Sequence, residues 1–276
     1  MPSVLVTGAG RGMGRSIAEH LAGRDWDVIA GVRSDADAAT VTEANPRRIK
    51  AVILDVTNDA HIAGLADSLP DRLDGLVNNA GIVVGGPIEA VGTDDWRRQL
   101  EVNVIGQMAV TRAVLPRLRA SQGRIVFISS VNGRVSMPMI GPYCASKFAL
   151  EAAADALRME LRPWRIPVVI VEPAQTDTDM WRTADTMVEE TEAALTPEQR
   201  ALYAKHVAGM KKMVPMAQRM AVDPAKVAAV VQTSLSTRRP RARYVVGAGP
   251  KAQMVLMPNL PSVIRDVVLR KVSGQP

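Results

Sequence analysis

The chain has 276 residues, 47% of them apolar and 22% charged, which is long and apolar enough to bury a substantial core. A net charge of +6 is modest for a nucleic-acid binder, and one cysteine, Cys144, excludes an internal disulfide and suits a reducing compartment. No apolar stretch reaches the roughly 18 to 20 residues of a membrane-spanning helix, and the N-terminus lacks the basic lead and cleavage site of a signal peptide, so a cytoplasmic location is expected.

Ser3 to Val6 is a short apolar run of the kind a parallel sheet buries. It leads into Thr7-Gly8-Ala9-Gly10-Arg11-Gly12-Met13-Gly14, after which Ile17, Ala18 and Leu21 set a helical pattern. Strand, glycine turn and helix aim a helix N-terminus at a phosphate, and glycines let the backbone approach a pyrophosphate. The spacing here is Gly-x-x-x-Gly-x-Gly, since Met13 occupies the last place of the commoner G-x-G-x-x-G. Asp27 to Val32 is the second predicted strand. In dinucleotide folds an acid at this strand's end holds the ribose hydroxyls. Here the tip reads Gly31-Val32-Arg33, and Arg33 with Arg11 could clamp a 2′-phosphate. That favours NADP(H); Asp35, close by, keeps NAD(H) as the alternative.

Ile49 to Leu54 is a third strand, ending at Asp55-Val56, with a helix predicted from Asn58, as N-cap, to Leu69. Leu73 to Val77 is a fourth, running into Asn78-Asn79-Ala80-Gly81. Thr93 is expected to cap one long helix that ends near Ala120, with Asp94 and Asp95 at its positive end. Asn103 sits in the middle of it, either as a buried amide that needs a specific partner or on the helix surface. Arg124 to Ile128 is the fifth strand and ends at Ser129 and Ser130. Pro142 opens a helix to about Arg165 in which Tyr143 and Lys147, four residues apart, share a face. The cation is expected to favour the phenolate and lower the tyrosine's proton affinity. The alanine-rich stripe of this helix suggests packing against a second subunit. Pro167 to Val171 is the sixth strand and closes at Glu172-Pro173.

Alternating strands and helices from residue 3 to about 172 predict an α/β, doubly wound parallel sheet of Rossmann-like type, with its ligand at the carboxyl ends of the strands. Gly8 to Gly14, Arg33, Asp55, Asn79, Ser130 and Pro173 all fall at that edge. Residues 176–222, with Met180, Trp181, Met187, Met210, Met213, Met216 and Met220, read either as a lid over an apolar substrate or as a helical pair with methionines as gap fillers. Asp223-Pro224 starts a helix to about Leu235; four arginines occupy 238–243; Tyr244 to Gly247 is a last edge strand. The expected division is a catalytic domain over 1–250, including the lid, and an amphipathic extension over 251–276. The extension is expected to pack across a subunit interface or over the site, with membrane-surface contact as second choice.

In this order the motifs resemble the short-chain dehydrogenase/reductase family: the Thr7–Gly14 loop, Asp55, Asn78–Gly81, Asn103, Ser130, Tyr143-x-x-x-Lys147 and Pro173 before the lid. The stretch from Gly141 to Trp164 is most similar to the retinol, 17β-hydroxysteroid and 3-hydroxybutyrate dehydrogenase branch. The resemblance implies that Tyr143 exchanges a proton with the substrate oxygen, Lys147 lowers its pKa and binds the nicotinamide ribose, Ser130 hydrogen-bonds the substrate, and Asn103 holds a water that links the lysine to solvent. It also implies cofactor contacts from Gly8, Arg11, Gly12, Met13, Gly14, Arg33, Asp55, Val56, Asn79, Ala80, Gly81, Tyr143, Lys147, Pro173, Thr176 and Thr178, with no metal. Asp55 is then the adenine contact, Asn79 to Gly81 the loop beside the adenosine ribose, and Thr178 the carboxamide contact. Ala174, where the family has glycine, is a strain point if its φ is positive. Thr176, where an aliphatic residue is usual, is a second departure. The expected enzyme is an NADP(H)-dependent oxidoreductase interconverting a secondary alcohol and a ketone on an apolar lipid-, steroid- or retinoid-like substrate, as a homo-oligomer that binds no nucleic acid. The alternatives are an NAD-dependent dehydrogenase of a small hydroxy acid and a non-catalytic cofactor sensor.

Overall fold

In the computed structural model, which describes residues 1–247, 249, 254 and 256–276, seven strands form one parallel sheet in the order β3-β2-β1-β4-β5-β6-β7. The side chains of Met180 and Trp181 lie outside the description, as do Ala252 and Val255 of the C-terminal extension. The strands are β1 (Ser3–Thr7), β2 (Asp27–Val32), β3 (Ile49–Ile53), β4 (Gly75–Asn78), β5 (Arg124–Ile128), β6 (Val168–Pro173) and β7 (Arg243–Val246). The apolar runs of β1, β2, β4, β5 and β6 are buried on both faces because helices cover both, whereas the edge strands β3 and β7 are only partly buried. Alternation sorts the side chains into two layers. Val4, Val6, Val126 and Val169 join Ile17, Leu21 and Val231 on one face. Leu5, Ile125, Phe127 and Ile170 join Val110, Val114 and Leu150 on the other.

The first layer is built on α1 (Gly12–Ala22) and α11 (Pro224–Ser236), the latter capped by Asp223. The second is built on α6 (Gly106–Ser121) and α7 (Gly141–Glu160). A helix that the sequence reading did not name, α2 (Asp35–Ala44), is capped by Ser34. The predicted helix over 58–69 is broken at Gly64 into α3 (Asp59–Ala63) and α4 (Leu65–Ser68). Thr93 does not cap α5 (Thr93–Leu100); Gly92 holds that position and no side chain bonds the first turn. Nor is the helix continuous to Ala120, because a π-helical turn over Glu101–Ile105 separates α5 from α6.

Residues 177–221 leave the sheet and return to the place they left: Asp177 N donates to Val222 O at 2.9 Å and Val222 N to Gln175 O at 2.7 Å. Between them lie α8 (Asp179–Arg182), α9 (Ala184–Ala194) and α10 (Pro197–Arg219). These helices have an apolar core of their own, Ala184, Val188, Leu195, Val207 and Val214, into which Met139 inserts from the loop before α7. Met210 packs against that core, whereas Met216 and Met220 are exposed. The last helix, α12 (Ser262–Val272), contains no buried residue.

Parallel strands place every carboxyl end at one rim, and the strand order reverses between β1 and β4. The crevice at such a switch point is where an open α/β sheet binds its ligand.

Candidate active site

Strand β5 delivers Ser130, whose Oγ accepts from Asn132 N at 3.1 Å and starts a 3₁₀ turn over Val131–Gly133. Pro142, in the first turn of α7, starts the helix that carries Tyr143 and Lys147. Ser130 is a side-chain hydrogen-bond partner of Tyr143. The Lys147 ammonium lies 5.8 Å from the centre of the Tyr143 ring and donates to Ile128 O at 2.8 Å. Three groups from a strand tip and one helix face thus converge.

Asn103 joins them through the π turn. Its Oδ1 accepts from Ile82 N at 2.8 Å, and its Nδ2 donates to Ile82 O at 3.0 Å and to Ser146 Oγ at 3.0 Å. It is fully buried. The extra residue of a π turn re-aims a side chain while the helix continues, which is why an uninterrupted 3.6-residue period misplaces this position. Asn103 therefore ties the loop after β4 to the helix turn between Tyr143 and Lys147.

At the glycine turn Gly8 has a φ of +65°, a left-handed conformation open to glycine at little cost. A β-carbon on Gly14 would fall 2.5 Å from Asn79 Nδ2 and inside the Gly8 carbonyl. Thr7 Oγ1 accepts from Asn79 N and Ala80 N, both at 3.0 Å, and Asn79 Nδ2 donates to Thr7 O at 2.9 Å. We expect Gly14→Ala to destabilise the fold by about 3 kcal/mol or more, because backbone has to yield. Thermal melting and cofactor titration check it; an unshifted melting temperature would contradict the close approach.

Arg11, the N-cap of α1, makes no side-chain capping bond, so the first-turn N–H groups are available to an anion. A cleft of about 340 Å³ opens there, lined by Arg11, Gly12, Arg15, Ser16, Thr178 and Arg182 and also by the acids Asp177, Asp179 and Asp223. Thr178 sits over Gly12, where a β-carbon would lie 3.3 Å from it. The exposed loops, free N–H groups and glycine approach fit a dinucleotide's diphosphate. Met13 turns its side chain into the α1–α11 core, so only its backbone faces the turn.

Arg33 is exposed at the tip of β2 and close enough to act on Asp55. Burial pushes the Asp55 carboxyl up, but hydrogen bonds from Thr57 and the charge of Arg33 outweigh it and hold the group below its ordinary range. Val56 is buried, and Gly106 passes its carbonyl where a side chain would not fit. Gln107 Nε2 donates to Ala80 O at 2.7 Å, and Gly81 lies beside Asn103. An acid that sequence reasoning passed over, Asp37, lies against Gly10: a β-carbon there would be 2.7 Å from its Cγ. At the end of β6, Pro173 pairs with Val246. Ala174 does not have a positive φ, so the suspected strain is absent. Thr176 Oγ1 donates to Ala174 O at 2.9 Å, and both Thr176 and Thr178 are buried.

The electrostatics correct one expectation. Burial drives Tyr143 up to about 12; its bond to Ser130 opposes this and Cys144 adds to it. Burial also brings Lys147 down to about 8, against the pull of Glu151. The net shift of the phenol is upward and not downward, because withdrawal from water is its largest cause. Tyr143 is a neutral phenol across the physiological range.

A family profile for short chain dehydrogenases matches residues 2–189. The chain belongs to the short-chain dehydrogenase family. It is an oxidoreductase of the NAD(P)-dependent kind, with a retinol-dehydrogenase-like character. Mouse retinol dehydrogenase 5 is 33% identical over 99% of this chain and 89% of its own length. An NADPH-dependent 3-dehydrocapnine reductase from Ornithobacterium rhinotracheale is 32% identical, covering 94% of each. A short-chain dehydrogenase from Streptomyces avermitilis superposes with a TM-score of 0.77 at 28% identity, covering 98% of this chain and 96% of the other.

Within this dehydrogenase, sequence reading also passed over Ser129, Ser146, Glu151, Glu172 and Arg243, which surround the Tyr143–Lys147 face. Glu151 repeats the four-residue step from Lys147, and Glu172 is the one acid in an apolar strand. Both signals were visible without coordinates.

Proposed function

We propose that the enzyme interconverts a secondary alcohol and a ketone with NADP(H), on an apolar substrate of lipid, steroid or retinoid-like chemistry. The observation that carries the reading is the convergence of Ser130, Tyr143 and Lys147 at the rim where β5 and β6 end. The nicotinamide, when bound, supplies or takes the hydride. Tyr143 then moves the proton at the substrate oxygen, Ser130 holds that oxygen, Lys147 binds the ribose, and Asn103 fixes the turn between them. The glycine loop, Asp55, Asn79–Gly81, Pro173, Thr176 and Thr178 are assigned to the rest of the cofactor.

Arg33 and Arg11 support a 2′-phosphate, and the NADPH dependence in the dehydrocapnine reductase's name agrees. Asp37 beside Gly10 works against it. We expect Arg33→Ala to raise KM for NADPH by about tenfold or more, with KM for NADH nearly unchanged, as loss of a charge-assisted bond implies. Equal use of both cofactors by the unaltered enzyme would overturn the preference.

The apolar substrate is supported by the walls. The loop after β4 is joined to the loop before α7 by Gly86 N to Met139 O at 2.7 Å, and Met187 and Thr191 of α9 lie against Gly85. Val84 and Met139 are buried at this junction. A ketone panel graded by hydrophobicity tests it; best turnover on small hydroxy acids would favour the rival substrate class.

Residues 1–250, lid included, are assigned to one catalytic unit and 251–276 to an extension. The outer face of α7 leaves Ala145, Phe148, Ala149, Ala152, Ala156 and Met159 exposed in one stripe, which suits a helix pair between two copies. Val263 and Ile264 of α12, exposed beside Arg265, suit a second subunit first and a membrane surface second. Light scattering with and without vesicles separates these. Among the described residues no helix is long and apolar enough to cross a membrane.

A further inference from the structure

Behind the catalytic residues lies a polar cluster that the reaction as described does not use. Glu151, on α7 one turn past Lys147, is 5% exposed, and Glu172, the last residue of β6 before Pro173, is 0% exposed. Buried carboxylates are rare unless paired. Glu151 Oε1 accepts from Ser129 Oγ at 2.8 Å. Its Oε2 lies 3.4 Å from Arg243 Nε on β7. The same guanidinium reaches Glu172 Oε1 at 3.2 Å and Asp155 Oδ2 at 2.5 Å. Arg134, from the loop after Ser130, approaches Glu172 Oε2 at 3.6 Å. Neither Glu172 oxygen has a partner in hydrogen-bond geometry. Gly133 makes room: a β-carbon there would fall 2.6 Å from Ser129 Oγ and collide with the Glu151 carboxylate.

The cluster joins four segments next to the proposed catalytic groups: the β5 tip with Ser130, the loop that follows, the turn of α7 after Lys147, and the β6 tip before Pro173. The backbone carbonyl that holds the Lys147 ammonium belongs to Ile128, next to Ser129. We infer that Glu151 and Glu172 are positioning residues: Glu151 aims the Ser129–Ser130 tip and, with it, the adjacent Ile128 carbonyl that holds Lys147, while Glu172, through Arg134 and Arg243, locks the β6 tip to the loop carrying Ser130. The inference rests on the proposed roles of Ser130, Tyr143 and Lys147.

The groups that face this pair are Lys147 and Asp155 from α7, Arg134 from the loop, Arg243 from β7 and Ser129 from β5. Burial raises both carboxyls, Glu172 to about 7, and for Glu172 the neighbouring Glu151 charge raises it further. Two carboxylates this close do not ionise independently. The pair therefore titrates as a unit, and its proton uptake is shifted up toward neutrality.

The test is the pH profile of NADPH affinity and of kcat/KM for Glu151→Gln, Glu151→Asp and Glu172→Gln, with melting temperatures recorded. Removing the Glu151 charge leaves Lys147 to lose its proton earlier. The alkaline limb of NADPH affinity in Glu151→Gln should then move down by about one unit or more, with kcat reduced about tenfold. Glu151→Asp should restore the limb. The unaltered enzyme is expected to show a step near pH 7 in kcat/KM; Glu172→Gln, fixed in the neutral form, should lose it, and this variant carries the test alone if Glu151→Gln fails to fold. An unmoved limb or a persisting step, with kcat falling only in line with the melting temperature, would make the cluster a structural support and overturn the inference. Tyr143→Phe is run alongside: if it retains turnover, the catalytic reading itself fails. If it is inactive while the Glu151 and Glu172 profiles stay unchanged, only the positioning claim fails.

Discussion

Tyr143→Phe is expected to reduce turnover by a factor of about 10² to 10⁴, the range a positioned acid–base group contributes, while NADPH binds as before. The substitution removes one oxygen and keeps the ring. Lys147, the glycine loop and the α1 N-terminus, which would hold the cofactor, are untouched. The lost atom is Ser130's partner, so the change falls on the group that would give the substrate oxygen its proton. With burial holding the phenol at about 12, the residue keeps its proton through the neutral range. It therefore carries the proton that ketone reduction requires. Fluorescence titration of NADPH and steady-state rates on one ketone check both halves. Retained turnover would exclude Tyr143 as the donor; loss of both binding and turnover would mean the phenol supports the cofactor and not the proton transfer.

The second large effect is on stability. Lys147 has its amine drawn down from 10.5 to about 8 by burial. Between those values the unfolded chain binds more protons than the folded one, so the unfavourable term is present in full below pH 8 and fades as pH rises to 10.5. Its size is about 3 kcal/mol, at 1.36 kcal/mol per unit. Lys147→Met keeps the stem and removes the charge but leaves the Ile128 carbonyl without its charged donor, a loss of about 2 kcal/mol. The cofactor-free variant should therefore be more stable than the parent at pH 7 by about 1 kcal/mol, or about 2 to 4 °C in melting temperature, and inactive. The advantage should shrink as pH is raised toward 10. A variant less stable than its parent at pH 7 would show that the lysine's bond outweighs its desolvation. Stability exchanged for a buried amine is what a site built to hold a ribose requires.

Much of this was legible in the residues. The strands appear as apolar runs because a parallel sheet buries both faces, and the motifs fall at their carboxyl ends because the topology leaves them no other rim. The glycine spacing and the Tyr143–Lys147 step are local, so sequence carries them. What it did not carry is tertiary. The π turn at Asn103 exists because one buried amide makes three bonds to Ile82 and Ser146, partners far from it in sequence. The direction of the Tyr143 shift was misread for a related reason: charge proximity follows from spacing, whereas the competing desolvation depends on what else covers the helix. Asp37 was missed because its approach to Gly10 depends on α2, which carries little amphipathic signal. Glu172 reads as an odd acid in a strand until Arg134 and Arg243 are seen across it.

The account is tested most directly by a crystal structure of the enzyme with NADPH and a ketone. It predicts the nicotinamide carbon that carries the hydride at the β5–β6 rim, and the ketone oxygen about 3 Å from both Tyr143 Oη and Ser130 Oγ, with Lys147 on the ribose. A cofactor seated with its nicotinamide away from that rim, or a ketone oxygen facing neither hydroxyl, would contradict it.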